Sequence, residues 1–130
     1  VLALEPKVLI LDEPTVALDY KSREDIMTMV KRLKDELNMT IVLISHNMNY
    51  VLEYADKVFV LKNGEINFEG TVEELFADEK LLKENSLEQP ELLKFYNNLQ
   101  ENNIKLDVFP RKYEDLIDAL KNKIGSSVNE

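Results

Sequence analysis

The chain has 130 residues, 45% of them hydrophobic and 32% charged, and its 16 basic and 25 acidic side chains give a net charge of −9. That is the size and balance of about one globular domain, and apolar runs such as residues 8–11 and 41–44 fall far short of the roughly 20 residues that span a bilayer. With no cysteine and one histidine, disulfides, thiolate metal sites and any site built on two imidazoles are excluded.

Residues 7–12 run Lys-Val-Leu-Ile-Leu-Asp and are apolar until they meet the adjacent acids Asp12 and Glu13. This predicts a strand buried on both faces, as in a parallel sheet with helices on each side. Over residues 21–37 the apolar positions Ile26, Val30, Leu33 and Leu37 recur at helical spacing, widened by Met27 and Met29, so a surface helix packing one face is expected. Residues 40–45 repeat the buried-strand pattern. If the two strands are parallel neighbours the crossover is right-handed, and Asp12 and His46 emerge on the same sheet edge.

Residues 48–55 read as a short helix, and strands over 57–62 and 65–69 flank Asn63-Gly64, a pair suited to a type I′ hairpin because both central residues need positive φ. The hairpin is expected to add an antiparallel margin to the sheet. Thr71-Val-Glu-Glu74 fits a capping box opening a helix through about Phe76, and 78–85 reads as another short helix. Pro90 opens a helix over about 90–102 with Leu92, Leu93, Tyr96 and Leu99 on its apolar side. A β-like or extended segment at 104–109 follows, then a last helix marked by Leu116, Ile117, Leu120 and Ile124, with 125–130 frayed. The composition shift at 86–90 is the expected boundary of a small C-terminal module.

Acidic charge concentrates at 65–91, where nine carboxylates face only Lys80 and Lys83. Such a surface repels phosphate backbones and anionic headgroups, so direct nucleic-acid or membrane-surface binding is not expected.

Adjacent carboxylates at the end of a buried strand suit magnesium-assisted phosphoryl chemistry, one in the metal shell and one polarising an attacking water. Asp12 and Glu13 stand in those places, and they equally fit acids that solvate a turn or cap the next element. His46 closes the second strand, where it could reach a phosphate or simply cap a helix. Asp19 has a plain reading as N-cap of the helix that follows.

Taken together, Val8-Leu-Ile-Leu-Asp-Glu-Pro-Thr15, Ala17-Leu-Asp19 and Ile44-Ser-His46 before a helix resemble the second half of an ABC-type ATPase domain. The resemblance implies that Asp12 is the Walker B aspartate acting on Mg²⁺, mostly through water. It makes Glu13 the general base or water-orienting residue, Asp19 part of the D-loop at the interface of the nucleotide-sandwich dimer, and His46 the switch histidine at the γ-phosphate of ATP. Val16, Tyr20 and Asn47 depart from the residues common at their positions, and none of these removes a principal group. The resemblance covers about residues 1–85; within 86–130, residues 87–99, Ile104-Lys-Leu106 and Tyr113-Glu-Asp-Leu116 are similar to the C-terminal extension of energy-coupling-factor ATPases, the relatives of cobalt and vitamin importers.

The fold expected is therefore α/β, the C-terminal part of a P-loop ABC ATPase domain with a partly parallel sheet, plus a small helical extension that helps ATPase subunits associate. The resemblance implies ATP and Mg²⁺ as ligands. Its implied partners are a second ATPase subunit, as homo- or heterodimer, and an integral membrane transport subunit that holds the protein at the cytoplasmic face of the cell membrane. No GxxxxGK[ST] phosphate loop occurs in the 130 residues. With Val1 in place of an initiator methionine, a piece of a longer protein, inactive and marginally stable alone, is expected. Two other readings stay open: a non-catalytic interaction or dimerisation module using the last 45 or so residues, and an ABC-type ATPase outside transport.

Overall fold

The computed structural model describes residues 6–128. In chain order they form β1 (Val8–Asp12), α1 (Tyr20–Leu37), β2 (Thr40–Ile44), α2 (Met48–Tyr54), β3 (Val58–Lys62), β4 (Glu65–Gly70), α3 (Val72–Ala77), α4 (Glu79–Glu84), α5 (Glu91–Glu101) and α6 (Tyr113–Val128). These make two compact units, the first ending at His46 and the second beginning at Asn47.

In the first unit β1 and β2 pair in parallel, with Val8 opposite Thr40 and Asp12 opposite Ile44, and α1 is their crossover. The helix starts at Asp19, whose side chain accepts from the Ser22 N–H, and stops at Asn38 in the left-handed conformation with φ 51°. Met27, Val30 and Leu33 are its buried stripe. That stripe is narrower than the periodicity predicts, because Met29 and Leu37 are exposed. An 18-residue helix is about 27 Å long and a five-residue strand about 17 Å, so α1 outruns the strands and Leu37, on its last turn, stays in water.

The strands themselves depart from expectation. Leu9, Leu11, Ile41 and Leu43 are half-buried, whereas Val8, Ile10, Val42 and Ile44 stay between 43% and 64% exposed. Burial alternates along an unbroken apolar sequence because, among the described residues, only the face carrying the first set is covered.

In the second unit β3 and β4 pair antiparallel, and the turn residues Asn63 and Gly64 have φ 54° and 81°, as a type I′ turn requires. The hairpin forms a two-stranded sheet of its own instead of a margin on β1 and β2. Its ladder closes within the pair, and its inward side, led by Val60, belongs to the core of the second unit.

That core gathers Leu52, Val60, Val72, Leu75, Phe76, Leu82, Leu92, Leu93, Leu106 and Leu116. It runs without a break across the 86–90 stretch, so the helices on either side share one apolar interior. The Thr71–Glu74 capping box is present with both reciprocal bonds. Arg111 adds a polar tie, donating to the Ala55 carbonyl at 2.6 Å and to Glu73 at 3.1 Å.

Near the C-terminus one alternative is decided and one expectation is corrected. No strand forms at 104–109: Leu106 turns into the core and its carbonyl accepts from the Gln100 side chain at 3.0 Å, in place of a ladder partner. Nor does the last helix fray at 125, since α6 continues to Val128; residues 129–130 lie outside the described residues. A glycine inside a helix costs only about 0.5–1 kcal/mol, and Ser126 Oγ, donating to the Asn122 carbonyl, supports the turn around Gly125. Among the described residues no helix is long and apolar enough to cross a membrane.

Candidate functional site

Parallel pairing brings the carboxyl ends of β1 and β2 side by side, so the chain leaves one strand through Asp12-Glu13 and the other through Ser45-His46. The Glu13 N–H extends the ladder by one bond to the Ile44 carbonyl at 2.9 Å. Glu13 then takes a left-handed φ of 45°, a conformation that a side chain bearing a Cβ adopts only under constraint.

The turn directs its carboxylate at the second strand end. Glu13 Oε1 accepts from the His46 backbone N–H at 3.1 Å and lies 2.6 Å from His46 Nδ1. A carboxylate can only accept, so the imidazole donates from Nδ1–H in this pair and leaves Nε2 for another partner. The imidazole is 82% exposed and the Glu13 side chain 30%. The pair therefore offers an oriented carboxylate next to a ring open to a ligand, on one strand edge with Asp12.

Asp12 is exposed at the last position of β1. Among the described residues no group of three or more His, Cys, Asp or Glu side chains could enclose a metal ion. This donor set fits Mg²⁺, which takes one or two carboxylates and completes its shell with water and phosphate oxygens. It does not fit an ion that needs a cage of protein ligands.

From Pro14 to Asp19 the chain forms a tight loop between the site and α1. Thr15 is buried within it, and Ala17 adopts a φ of 62°. At its end Asp19 caps α1, accepting from Ser22 N at 3.0 Å and from Ser22 Oγ at 2.7 Å. These two bonds, the backbone one first, hold the Asp19 carboxyl below its ordinary value of 3.8. The plain reading of Asp19 as N-cap is thus realised, and a role across a dimer is a separate matter.

A pH effect follows. Because the folded value is depressed, the cap contributes fully above the unfolded value near 3.8 and is lost as pH falls through the lower folded value. Asp19→Asn keeps a capping oxygen that does not titrate. We expect it to flatten the acid limb of stability below about pH 4, measured by urea unfolding at stepped pH, and to leave neutral pH unaffected; an unchanged acid limb would contradict this.

The Glu13–His46 contact and the Arg23 guanidinium, whose Nε donates to the Leu18 carbonyl at 2.8 Å, were not foreseeable from the sequence. The shared sheet edge was, through the parallel strand pattern.

Comparison with known proteins identifies the relatives. EcfA2 of Ligilactobacillus salivarius, an energy-coupling factor transporter ATP-binding protein, is 41% identical over 131 residues, which cover all of this chain and 45% of that protein. The chain is a homologue of the energy-coupling-factor ABC ATPases. EcfA2 of Enterococcus faecalis is 43% identical over 95% of the chain and 43% of its own length. EcfA of Methanoculleus marisnigri is 40% identical over 88% of the chain and 41% of its length. The chain thus spans less than half the length of these energy-coupling-factor proteins and corresponds to their C-terminal part.

Among solved structures, CbiO1 of Clostridium perfringens, part of the ABC transporter complex CbiONQ, is similar over 74% of this chain and 38% of that one. Its TM-score is 0.53 and its identity 36%. A dimeric ATP-binding cassette in a post-hydrolysis state with ADP and Pi covers 55% of this chain and 30% of that one, with a TM-score of 0.50 and 35% identity. No protein-family model matches the chain.

Proposed function

We propose that this chain carries the water-activating edge of an ABC-type ATPase subunit, which couples ATP hydrolysis to uptake of a metal ion or vitamin by an energy-coupling-factor importer. The observation that carries the proposal is the Glu13 carboxylate, fixed by the backbone and ring of His46 at 3.1 and 2.6 Å beside Asp12. In this reading Glu13 takes the proton of the attacking water and His46, carrying a proton on each ring nitrogen, donates from Nε2 to the γ-phosphate. Asp12 holds Mg²⁺ through water, and bound there the metal would neutralise charge on the phosphates. Asp19 and the loop before it face a second ATPase subunit.

Residues 1–85 supply this ATPase portion and 86–130 the extension. On α6 the side chains Tyr113, Ile117 and Ile124 are exposed at helical spacing although Leu116 is buried, which favours a contact with another subunit. An integral membrane subunit places the assembly at the cytoplasmic face, and the acidic stretch at 65–91 disfavours nucleic acid as a partner.

Phosphoryl transfer needs the triphosphate positioned before a base can act, and the phosphate loop is not among these 130 residues. The test is magnesium-dependent phosphate release by the complete ATP-binding subunit that contains this segment and by the 130-residue chain alone. Turnover is expected from the first only. ATP hydrolysis by the chain alone, or none by the complete subunit in its transporter, would contradict the proposal.

A further inference from the structure

We propose that Arg23 is a positioning residue that holds the loop between Glu13 and α1 in its working shape. The proposal rests on the ATPase reading above and adds a residue to it. Between β1 and α1 two residues with a Cβ, Glu13 and Ala17, have φ of 45° and 62°. Such conformations persist only where the surroundings impose them. The turn bonds within the loop are modest: Val16 N donates to the Glu13 carbonyl at 3.2 Å and Leu18 N to the Thr15 carbonyl at 3.4 Å, the second beyond the usual range for such a bond.

The stronger constraint comes from outside the loop. Arg23 sits in the first turn of α1, where its own N–H donates to the Asp19 carbonyl at 3.1 Å. Its guanidinium Nε reaches back to the Leu18 carbonyl at 2.8 Å, a charge-assisted bond. This side chain thus bonds the backbone of the loop at its last residue before the cap. Fixing the Leu18 carbonyl sets the peptide plane that joins Leu18, the neighbour of Ala17 with its left-handed φ, to Asp19, which caps the helix. Because Val16 is tied in turn to the Glu13 carbonyl, the loop transmits this anchoring to the residue that holds the catalytic carboxylate. The bond is exposed, so its net contribution to stability is small. Its effect belongs to geometry and is read in turnover.

The test uses the complete ATP-binding subunit in its transporter complex, with Glu13→Gln as reference. Arg23→Met keeps the apolar stem and removes the donors. It is expected to lower kcat by about tenfold, to leave KM for ATP within about twofold, and to leave the melting temperature nearly unchanged. Arg23→Lys, which can still donate to the Leu18 carbonyl, restores most of the lost rate. Adding Ala17→Gly to Arg23→Met restores part of it, since glycine takes the left-handed conformation without strain. An unchanged kcat in Arg23→Met, with Glu13→Gln inactive in the same assay, would overturn the positioning role and leave the ATPase reading standing. So would a rate loss that follows a lowered melting temperature and is not rescued by lysine, which would assign Arg23 to helix stability alone. If Glu13→Gln is as active as the unsubstituted subunit, the ATPase reading fails and this proposal fails with it.

Discussion

Glu13→Gln in the complete ATP-binding subunit is expected to lower ATP hydrolysis by about 10²- to 10⁴-fold, the usual contribution of a positioned general base, with ATP affinity changed by no more than a few-fold. The substitution is nearly isosteric. A glutamine Oε1 can still accept from the His46 N–H that now holds Glu13 at 3.1 Å, so the strand edge keeps its shape and the loss reports the base. Because the interaction removed is made in the transition state, kcat and kcat/KM should fall together. Single-turnover phosphate release separates this from slow product release. Turnover within a few-fold of the unsubstituted subunit would assign Glu13 to the structural reading of the acid pair, in which it orders a turn.

The second large effect lies in the core. Leu93, 1% exposed on α5, belongs to the same cluster as Leu52, Val60, Val72 and Leu75, so Leu93→Ala leaves a cavity inside a shared interior. The expected cost is about 2–5 kcal/mol, a large part of the roughly 5–15 kcal/mol that stabilises a typical domain. Amide hydrogen exchange should therefore show loss of protection in β3 and α3 as well as in α5, since these elements pack on one core. Loss confined to α5 and α6 would mean that the residues after 86–90 unfold as a unit of their own.

Local patterns made much of this fold legible. The 71–74 capping box, the Asn63-Gly64 turn, the Asp19 cap and the helical spacing of Leu92 and Leu93 each depend on residues a few positions apart, and the structure has each of them. Where the outcome depended on distant neighbours the pattern was silent. An all-apolar run such as 8–11 is the same sequence whether one or both of its faces are covered, and the exposure of Ile10 is decided by which elements lie over the sheet. The hairpin carries no local sign of which sheet it joins. At 104–109, where the pattern left a β-like or an extended segment open, side-chain amides and core packing took up the segment and no strand forms.

The candidate site divides in the same way. The parallel order of β1 and β2 was enough to bring Asp12 and His46 to one edge. It did not reveal that Glu13 bends back through a left-handed φ to meet the His46 ring, nor that Arg23 reaches Leu18, five positions earlier, a spacing with no helical or strand periodicity to flag it. The chemical roles attached to these residues rest on resemblance, while their juxtaposition rests on the fold.

The most direct test of the central claim is a structure of the complete subunit with a non-hydrolysable ATP analogue and Mg²⁺. The account predicts that the terminal phosphate lies at the carboxyl ends of β1 and β2, with His46 against it, Glu13 on the adjacent water and Asp12 in the hydration shell of the metal. Nucleotide bound away from this edge, with the Glu13–His46 pair as it stands here and Asp12 facing only solvent, would contradict it.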